Sequence, residues 1–273
     1  GVLSNAVNCD VDWAGGNVTL DDATIINRGE FRFQTGGTMS GNGAFENKNY
    51  LRVEPAEPVT VSVTLTNDRT LSLARSRLIL DTNGWFQQEG NRIHFQGGDL
   101  QVNGTFTNSG LIALYHSGQI AADTFTNDGL IDFDDQLANP LRMRTLTVTA
   151  RPNVAGGHFT QTASGSLIMK VGEMNSNDRL VVGGTATLGE TIEVRVPDVP
   201  IPLNWSWTLI TSNQRLQQFA TVHQPPPIFM FSAPTYNPTT FRVQNPEIIR
   251  PGPQDENEDT ALVFSAANGN AVH

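Results

Sequence analysis

The chain has 273 residues, a formal net charge of -10 at pH 7 and a single cysteine, Cys9. The negative charge argues against a protein that holds nucleic-acid phosphates by counterion release, and the lone cysteine excludes an internal disulfide or a zinc site built from several thiolates. No run of residues approaches the roughly 18 apolar residues of a membrane-spanning helix. A chain of this length can bury a core as one elongated domain or two compact ones.

A ten-residue phrase recurs through the first half of the chain. Its copies are TIINRGEFRF from Thr24, AFENKNYLRV from Ala44, TLTNDRTLSL from Thr64, TFTNSGLIAL from Thr105, TFTNDGLIDF from Thr124 and a looser WFQQEGNRIHF from Trp85. Their central amides are 19 to 21 residues apart and form a column of Asn27, Asn47, Asn67, Gln88, Asn108 and Asn127. A fixed period of this length predicts a solenoid in which each unit is one coil.

Apolar residues repeat with the same period and predict the interior of the coils. Two residues before the amide stand Ile25, Phe45, Leu65, Phe86, Phe106 and Phe125. Four residues after it stand Phe31, Leu51, Leu71, Ile112 and Ile131, with Ile93 displaced by an insertion. A further column upstream of the amide comprises Met39, Val59, Ile79, Leu100 and Ile120.

The amide column has two interpretations. Equivalent amides in successive coils can hydrogen-bond to one another as a ladder, or they can be turn residues that point at solvent. Gln88 keeps the amide group while changing its length, which favours the ladder. The Asn-x-Gly phrases predict sharp corners, because Asn and Gly tolerate the left-handed backbone.

Strands stacked in this way pair in parallel. The sequence therefore predicts an all-β, single-stranded parallel β-helix over residues 1–175, with a right-handed winding expected at about 20 residues per coil. Segments from Thr145 and His158 are interpreted as further coils. Both ends of the stack are expected to need caps, because their strand edges would otherwise be exposed.

Residues 176–244 predict C-terminal coils and a β cap. The segment SNDRLVVGGTATLGETIEVRV runs from Ser176 to Val196, and WSWTLITS and LQQFATV follow from Trp205 and Leu216. This part of the chain resembles the C-terminal region of autotransporter passenger domains, whose recurring phrase closes a right-handed β-helix. The matching residues are Asp178, Leu180, Val182, Gly184, Ala186, Leu188 and Gly189. No translocator barrel follows Val243 within these 273 residues, so the resemblance implies a secreted β-helix with its cap and leaves the export route open.

Residues 245–273 change in character. An acidic, proline-rich stretch is typical of a linker, and ALVF at its far end predicts a short strand comprising Ala261, Leu262, Val263 and Phe264. A lone strand beyond a linker favours pairing with a sheet edge on a neighbouring molecule. The alternative is a tail that packs back on its own chain or simply ends there.

One cluster of carboxylates is a candidate for chemistry. Asp132, Asp134 and Asp135 follow Asp123 and Asp128 in sequence, and paired carboxylates can hold Ca²⁺ or act as acid and base. Solvated edge residues give the same pattern, so no catalytic residue, cofactor or metal is expected, with Ca²⁺ at these aspartates as the weak exception. A β-helix polysaccharide lyase or hydrolase is the alternative function.

The sequence thus predicts a non-enzymatic structural or adhesive protein at the surface of a bacterium or outside it. End-to-end self-association through Ala261–Phe264 is expected, and surface glycans or proteins are the other expected partners. Nucleic acid is not expected.

Overall fold

A computed structural model describes residues 1–81, 92–133, 143–172, 176–196, 205–224 and 232–245. Within these ranges the chain forms strands and no helix. No helix among the described residues is therefore long and apolar enough to cross a membrane. Alternation of buried apolar and outer polar residues along each short segment explains why strands form.

The strands follow one another coil by coil. The first four coils contain β1 (Val2–Ser4), β2 (Asp10–Trp13), β3 (Gly16–Thr19), β4 (Thr24–Asn27), β5 (Glu30–Phe33), β6 (Gly37–Ser40), β7 (Ala44–Asn47), β8 (Tyr50–Val53), β9 (Val59–Val61), β10 (Thr64–Asn67), β11 (Thr70–Leu73) and β12 (Arg77–Leu80). The next coils contain β13 (Arg92–Phe95), β14 (Asp99–Val102), β15 (Thr105–Asn108), β16 (Leu111–Leu114), β17 (Gly118–Ala121), β18 (Thr124–Asn127), β19 (Leu130–Asp132) and β20 (Thr145–Thr149). The last strands are β21 (His158–Gln161), β22 (Ser166–Lys170), β23 (Arg179–Thr187), β24 (Thr191–Arg195), β25 (Ser206–Leu216), β26 (Thr221–His223), β27 (Thr235–Asn237) and β28 (Thr240–Gln244).

Parallel pairing arranges these strands on three faces. The first face contains the sheet of β1, β4, β7 and β10, and β15, β18 and β21 take the same place in later coils, where β23 joins them to the sheet of the third face. The second face joins ten described strands, from β2 through β13 to β26, and the third face runs from β3 to β20. Strand β23 turns a corner, because its first half pairs with β20 and its end pairs with β21. The predicted all-β, parallel, solenoid-like fold is confirmed.

The interior is built from rows of equivalent side chains. On the first face Phe45 lies opposite Leu65, and Phe106 lies opposite Phe125. On the second face one buried row comprises Phe31, Leu51, Leu71, Ile93, Ile112, Ile131, Leu167 and Ile192. Both predicted columns are therefore interior rows, except at Phe86, which lies outside the described residues.

The third predicted column is wrong at one position and shifted at another. Leu78, not Ile79, lies opposite Leu100, and the half-buried Ile79 pairs with outward-facing neighbours. Met39 lies opposite Val61 rather than Val59. The reason is that five residues separate β8 from β9 whereas three separate β11 from β12, so counting from the amide loses register at this face.

The glycines of the Asn-x-Gly phrases have a different role from the predicted one. Neither Gly29 nor Gly129 has a positive φ. A Cβ on Gly29 would instead lie 2.0 Å from the carbonyl oxygen of Cys9, and one on Gly129 would lie 2.2 Å from that of Gly110. These positions need glycine because the turn of the preceding coil comes so close.

We expect Phe106→Ala to lower the free energy of unfolding by about 3–5 kcal/mol, because its ring is buried and stacks on Phe125 at a centroid distance of 5.2 Å. Urea denaturation measures the change. Thr107→Ala, on the outer side of the same strand, is the matched control and should change stability by less than about 1 kcal/mol. Equal effects of the two variants would contradict the assigned interior face.

Candidate functional site

The amide column lies at the corner between the first and second faces. Asn27 Nδ2 donates to Asn47 Oδ1 at 2.6 Å and to the carbonyl oxygen of Tyr50 at 2.9 Å. Asn47 Nδ2 donates in the same way to Asn67 Oδ1 and, at 3.0 Å, to the carbonyl oxygen of Thr70. Each amide therefore bonds both to the next amide and to the backbone where the next coil turns.

A second row repeats the arrangement in later coils. Asn108 Nδ2 donates to Asn127 Oδ1 at 2.8 Å. Gln161 lies opposite Asn127, and its amide nitrogen donates to two carbonyl oxygens at the same corner. The predicted member Gln88 lies outside the described residues. Asn27, Asn47, Asn67, Asn108 and Asn127 are all buried, so they do not point at solvent.

Sequence reasoning missed two members of the column. Asn5 Nδ2 donates to Asn27 Oδ1 at 2.8 Å, and Gln161 continues the second row. The segment HFTQ from His158 matches the TFTN phrase with Gln in place of Asn, as at Gln88, so this signal was present in the sequence.

We expect Asn47→Ala to lower the free energy of unfolding by about 1–3 kcal/mol, because it leaves buried polar groups of Asn27 and Asn67 without their partner. Thermal and urea unfolding measure the loss. Asn42→Ala is the matched control, since Asn42 also bonds to the equivalent turn 20 residues away but is exposed. A loss no larger than the control's would show that the buried row adds no stability.

The described aspartates of the candidate acidic cluster lie on different parts of the coil. Asp123 forms a two-point ion pair with Arg151, with both bonds at 2.9 Å. Asp128 accepts a hydrogen bond from Thr162, and Asp132 is half-buried on the outer side of β19. Asp123, Asp128 and Asp132 thus occupy three separate positions along the coil.

Metal binding has no assembled donor set in the described part of the chain. No group of three or more His, Cys, Asp or Glu side chains there could hold a metal ion. Asp134 and Asp135, the other candidate Ca²⁺ ligands, lie outside the described residues.

A buried charged cluster lies where the passenger-like phrase begins. The Asp178 carboxylate accepts backbone hydrogen bonds from Arg144 at 2.8 Å and Lys170 at 2.7 Å, and all three residues are buried. Arg144 Nη1 in turn donates to the carbonyl oxygen of Phe133 at 2.6 Å. Burial raises the pKa of Asp178 to about 7, although the two backbone donors and the charges of Lys170 and Arg144 act to lower it.

This pKa predicts the direction of one pH effect. The unfolded chain releases the Asp178 proton near pH 4, whereas the folded chain keeps it until about pH 7. The folded state therefore binds more protons between these values, and its stability falls as pH rises through the window, by at most about 4 kcal/mol from this group. Asp178→Asn should remove that part of the slope in unfolding measured from pH 4 to 8.

Asp123→Asn makes the same substitution at a partly exposed ion pair and is the control for the Asp178 measurement. If the stability of Asp178→Asn depended on pH as steeply as that of the wild type, the pH dependence would not come from the Asp178 proton.

The first described coil exposes strand edges and apolar side chains. Among the described residues, β1, β2 and β3 each pair on one edge only, with β4, β5 and β6. Their other edges leave backbone N–H and C=O groups available for pairing. Apolar side chains surround a cavity of about 490 Å³ at this end, and Val2 and Leu3 are 71% and 67% exposed.

At the other end of the described stack, an antiparallel hairpin covers the third face, while β26 on the second face pairs on one edge only among the described residues. Strand β28 pairs with β25 and β27, and Trp207 lies buried beneath it with Nε1 donating to the carbonyl oxygen of Gly172 at 3.0 Å. On the first face the interior row passes from Phe159 through Ala186 to Arg215. The Arg215 guanidinium lies over the Tyr236 ring, 5.0 Å from its centroid, so a charge ends the apolar row.

Comparison with known proteins adds no assignment. No protein-family model matches the chain, and no curated protein matches it.

Proposed function

We propose that this protein is a non-enzymatic extracellular rod with a structural or adhesive role, which assembles end to end through its C-terminal strand. The observation that carries the proposal is the stack of parallel coils, in which interior rows and a buried amide column join each described coil to the next. Contacts that repeat head to tail without closing a ring produce filaments.

Rigidity supports a structural role. Interior rows and the buried amide column connect each coil to its neighbours through both packing and hydrogen bonds. A stack in which each coil contacts only its neighbours forms an extended rod rather than a globule. Surface glycans or other surface proteins are the proposed further partners, and the formal net charge of -10 disfavours nucleic acid.

The resemblance to autotransporter passengers supports the bacterial surface or the extracellular space as the location. The residues of that phrase lie on β23 or next to it. Asp178, just before the strand, accepts backbone hydrogen bonds from Arg144 and Lys170, and Leu180, Val182 and Ala186 on the strand face the interior. A right-handed winding is the finer part of the proposal, since passenger domains of this kind wind that way.

Native mass measurement between about 1 and 100 µM tests the proposal, and electron microscopy shows the form of the product. We expect masses that increase with concentration in whole-number steps of the 29.7 kDa subunit, and linear particles in micrographs. A truncation that ends at residue 245 keeps every described strand and removes Ala261–Phe264, which lies outside the described residues, so it should remain monomeric.

Monomers at every concentration would contradict the assembly. Turnover of an acidic polysaccharide that is lost in Asp132→Asn would instead support the enzymatic alternative.

A further inference from the structure

The geometry points to a groove on the outer side of the third face that binds one ring of an uncharged glycan. This inference rests on the adhesive part of the proposed function and adds the surface, the class of ligand and the side chains that recognise it. The groove has a volume of about 190 Å³ and lies across β12, β14 and β17. Its polar lining comprises Arg77, Asp99, Gln101 and Gln119.

Two outer rows of the third face form the floor of the groove. The strand register places Arg77, Asp99 and Gln119 opposite one another on successive coils. The adjacent row passes from Gln101 to Ala121. The surface is depressed here because the side chain of Ala121 is much shorter than that of Gln101. The groove therefore follows from the residue types at these positions and needs no break in the sheet.

The turn that follows β20 forms one wall of the groove, through Ala150 and Pro152. Arg151 holds this turn against earlier coils, because its guanidinium forms a two-point ion pair with Asp123 and donates to Asn103 Oδ1 at 3.0 Å. The wall is therefore fixed before a ligand binds, which lowers the entropy that binding costs.

The polar groups of the groove have hydrogen-bonding capacity that a ligand can use. Arg77 Nη2 donates to Asp99 Oδ2 at 3.3 Å, but a guanidinium has five N–H donors and a carboxylate accepts about four bonds. Gln119 Nε2 donates to Thr149 Oγ1 at 2.9 Å, which orients its amide. The Gln101 amide forms no hydrogen bond with the other described residues. Donors and acceptors side by side match sugar hydroxyl groups, each of which both donates and accepts.

The charge of the third face favours an uncharged ligand. The chain has a formal net charge of -10, yet Arg77 and Asp99 are the only charged residues on the seven strands of this face from β3 to β20. These two residues lie opposite each other and form an ion pair, so their charges largely cancel. The groove therefore offers no excess charge that would attract an anionic polysaccharide or a cation.

The size of the groove suits one sugar ring within a longer chain. Pockets that enclose a whole small ligand have volumes of about 300–1,000 Å³, which is larger than this groove. The row of Gln101 continues through Ile79 into earlier coils with the uncharged polar residues Thr60, Thr38 and Asn17. Neighbouring strands lie about 4.8 Å apart, close to the length of one ring in an extended glycan. A glycan that lies along the stack therefore places neighbouring rings against neighbouring coils.

The groove does not contain the pair of carboxylates that hydrolyses glycosidic bonds. Asp99 is the one carboxylate among its described lining residues. Hydrolysis of this kind needs one carboxyl group as acid and a second as base or nucleophile. The groove therefore supports recognition of a glycan rather than its cleavage.

Calorimetric titration of the full chain with defined hexasaccharides tests the inference. The uncharged probes are cellohexaose, maltohexaose, mannohexaose and xylohexaose, and hexagalacturonate is the charged comparison. We expect at least one uncharged probe to bind with equal affinity at about 50 and about 300 mM NaCl, because the ligand carries no charge for salt to screen.

Two variants locate the binding in the groove. Gln101→Ala removes the free amide and should weaken binding about fivefold or more, as expected for the loss of one or two hydrogen bonds. Ala121→Gln fills the depression with a longer outer side chain and should abolish binding. Gln214→Ala removes the same amide from an exposed position on β25, so this matched control should bind like the wild type. Urea unfolding checks that each variant is folded.

The outcomes separate the inference from the proposed function. The inference is overturned, and the assembling rod left intact, if no uncharged probe binds at millimolar concentration or if both groove variants bind like the wild type. A preference for hexagalacturonate that salt weakens overturns it as well. Wild-type monomers that bind an uncharged probe in the groove overturn the assembly and keep the inference. Salt-independent binding that both groove variants lose and Gln214→Ala keeps establishes the glycan site.

Discussion

Each interior side chain of this protein is covered from two directions, by the coil before it and the coil after it. Phe125 lies between Phe106 and Phe159, with ring centroids 5.2 and 5.5 Å away. Burial of one coil therefore depends on the register of both neighbours, and a shift by one residue would turn its apolar set outward. The same requirement has no solution at the two ends of a stack, where one covering coil is absent. The exposed apolar rows at an end must therefore be covered by something other than a further coil.

The buried amide column adds direction to this packing. Each Asn Nδ2 donates toward the following coil, from Asn27 to Asn47 and from Asn108 to Asn127. An amide in this row accepts from the amide of the preceding coil and donates to the amide or the backbone carbonyl of the following coil, so its bonds form only when the neighbouring coils are in register. Apolar rows tolerate side chains of different shape, as Phe45 opposite Leu65 shows, whereas the amide row tolerates only Asn or Gln. The polar row thus specifies register, and the apolar rows supply most of the burial.

The sequence predicts the parts of the fold that lie at a constant distance from the repeated amide. Two of the three apolar columns do so, and the described members of both are interior rows. The prediction for the third column is wrong at Ile79, because the number of residues between the second and third faces varies from coil to coil. The repeat period does not reveal that variation. The sequence shows that glycine recurs at the turn of the repeat, but it does not show why. The reason is the close approach of the Cys9 carbonyl to Gly29, which depends on how two turns stack. For the ends of the stack, the sequence predicts only that caps are needed. It does not predict how exposed Leu3 is, because that depends on what covers the first coil.

The last described strands show how the rows of this stack are brought to an end. Arg215 takes the interior position that Phe159 and Ala186 hold in the coils before it, and the hairpin of β27 and β28 reverses the strand direction on the third face. A coil stacked beyond Arg215 would have to bury its guanidinium group, which is costly without a paired charge. A parallel strand cannot simply continue the ladder beyond β28 either, because β28 runs antiparallel to β25. Bare strand edges pair without discrimination, so a charge in an interior row and a reversed strand both limit uncontrolled stacking of similar solenoids on this face.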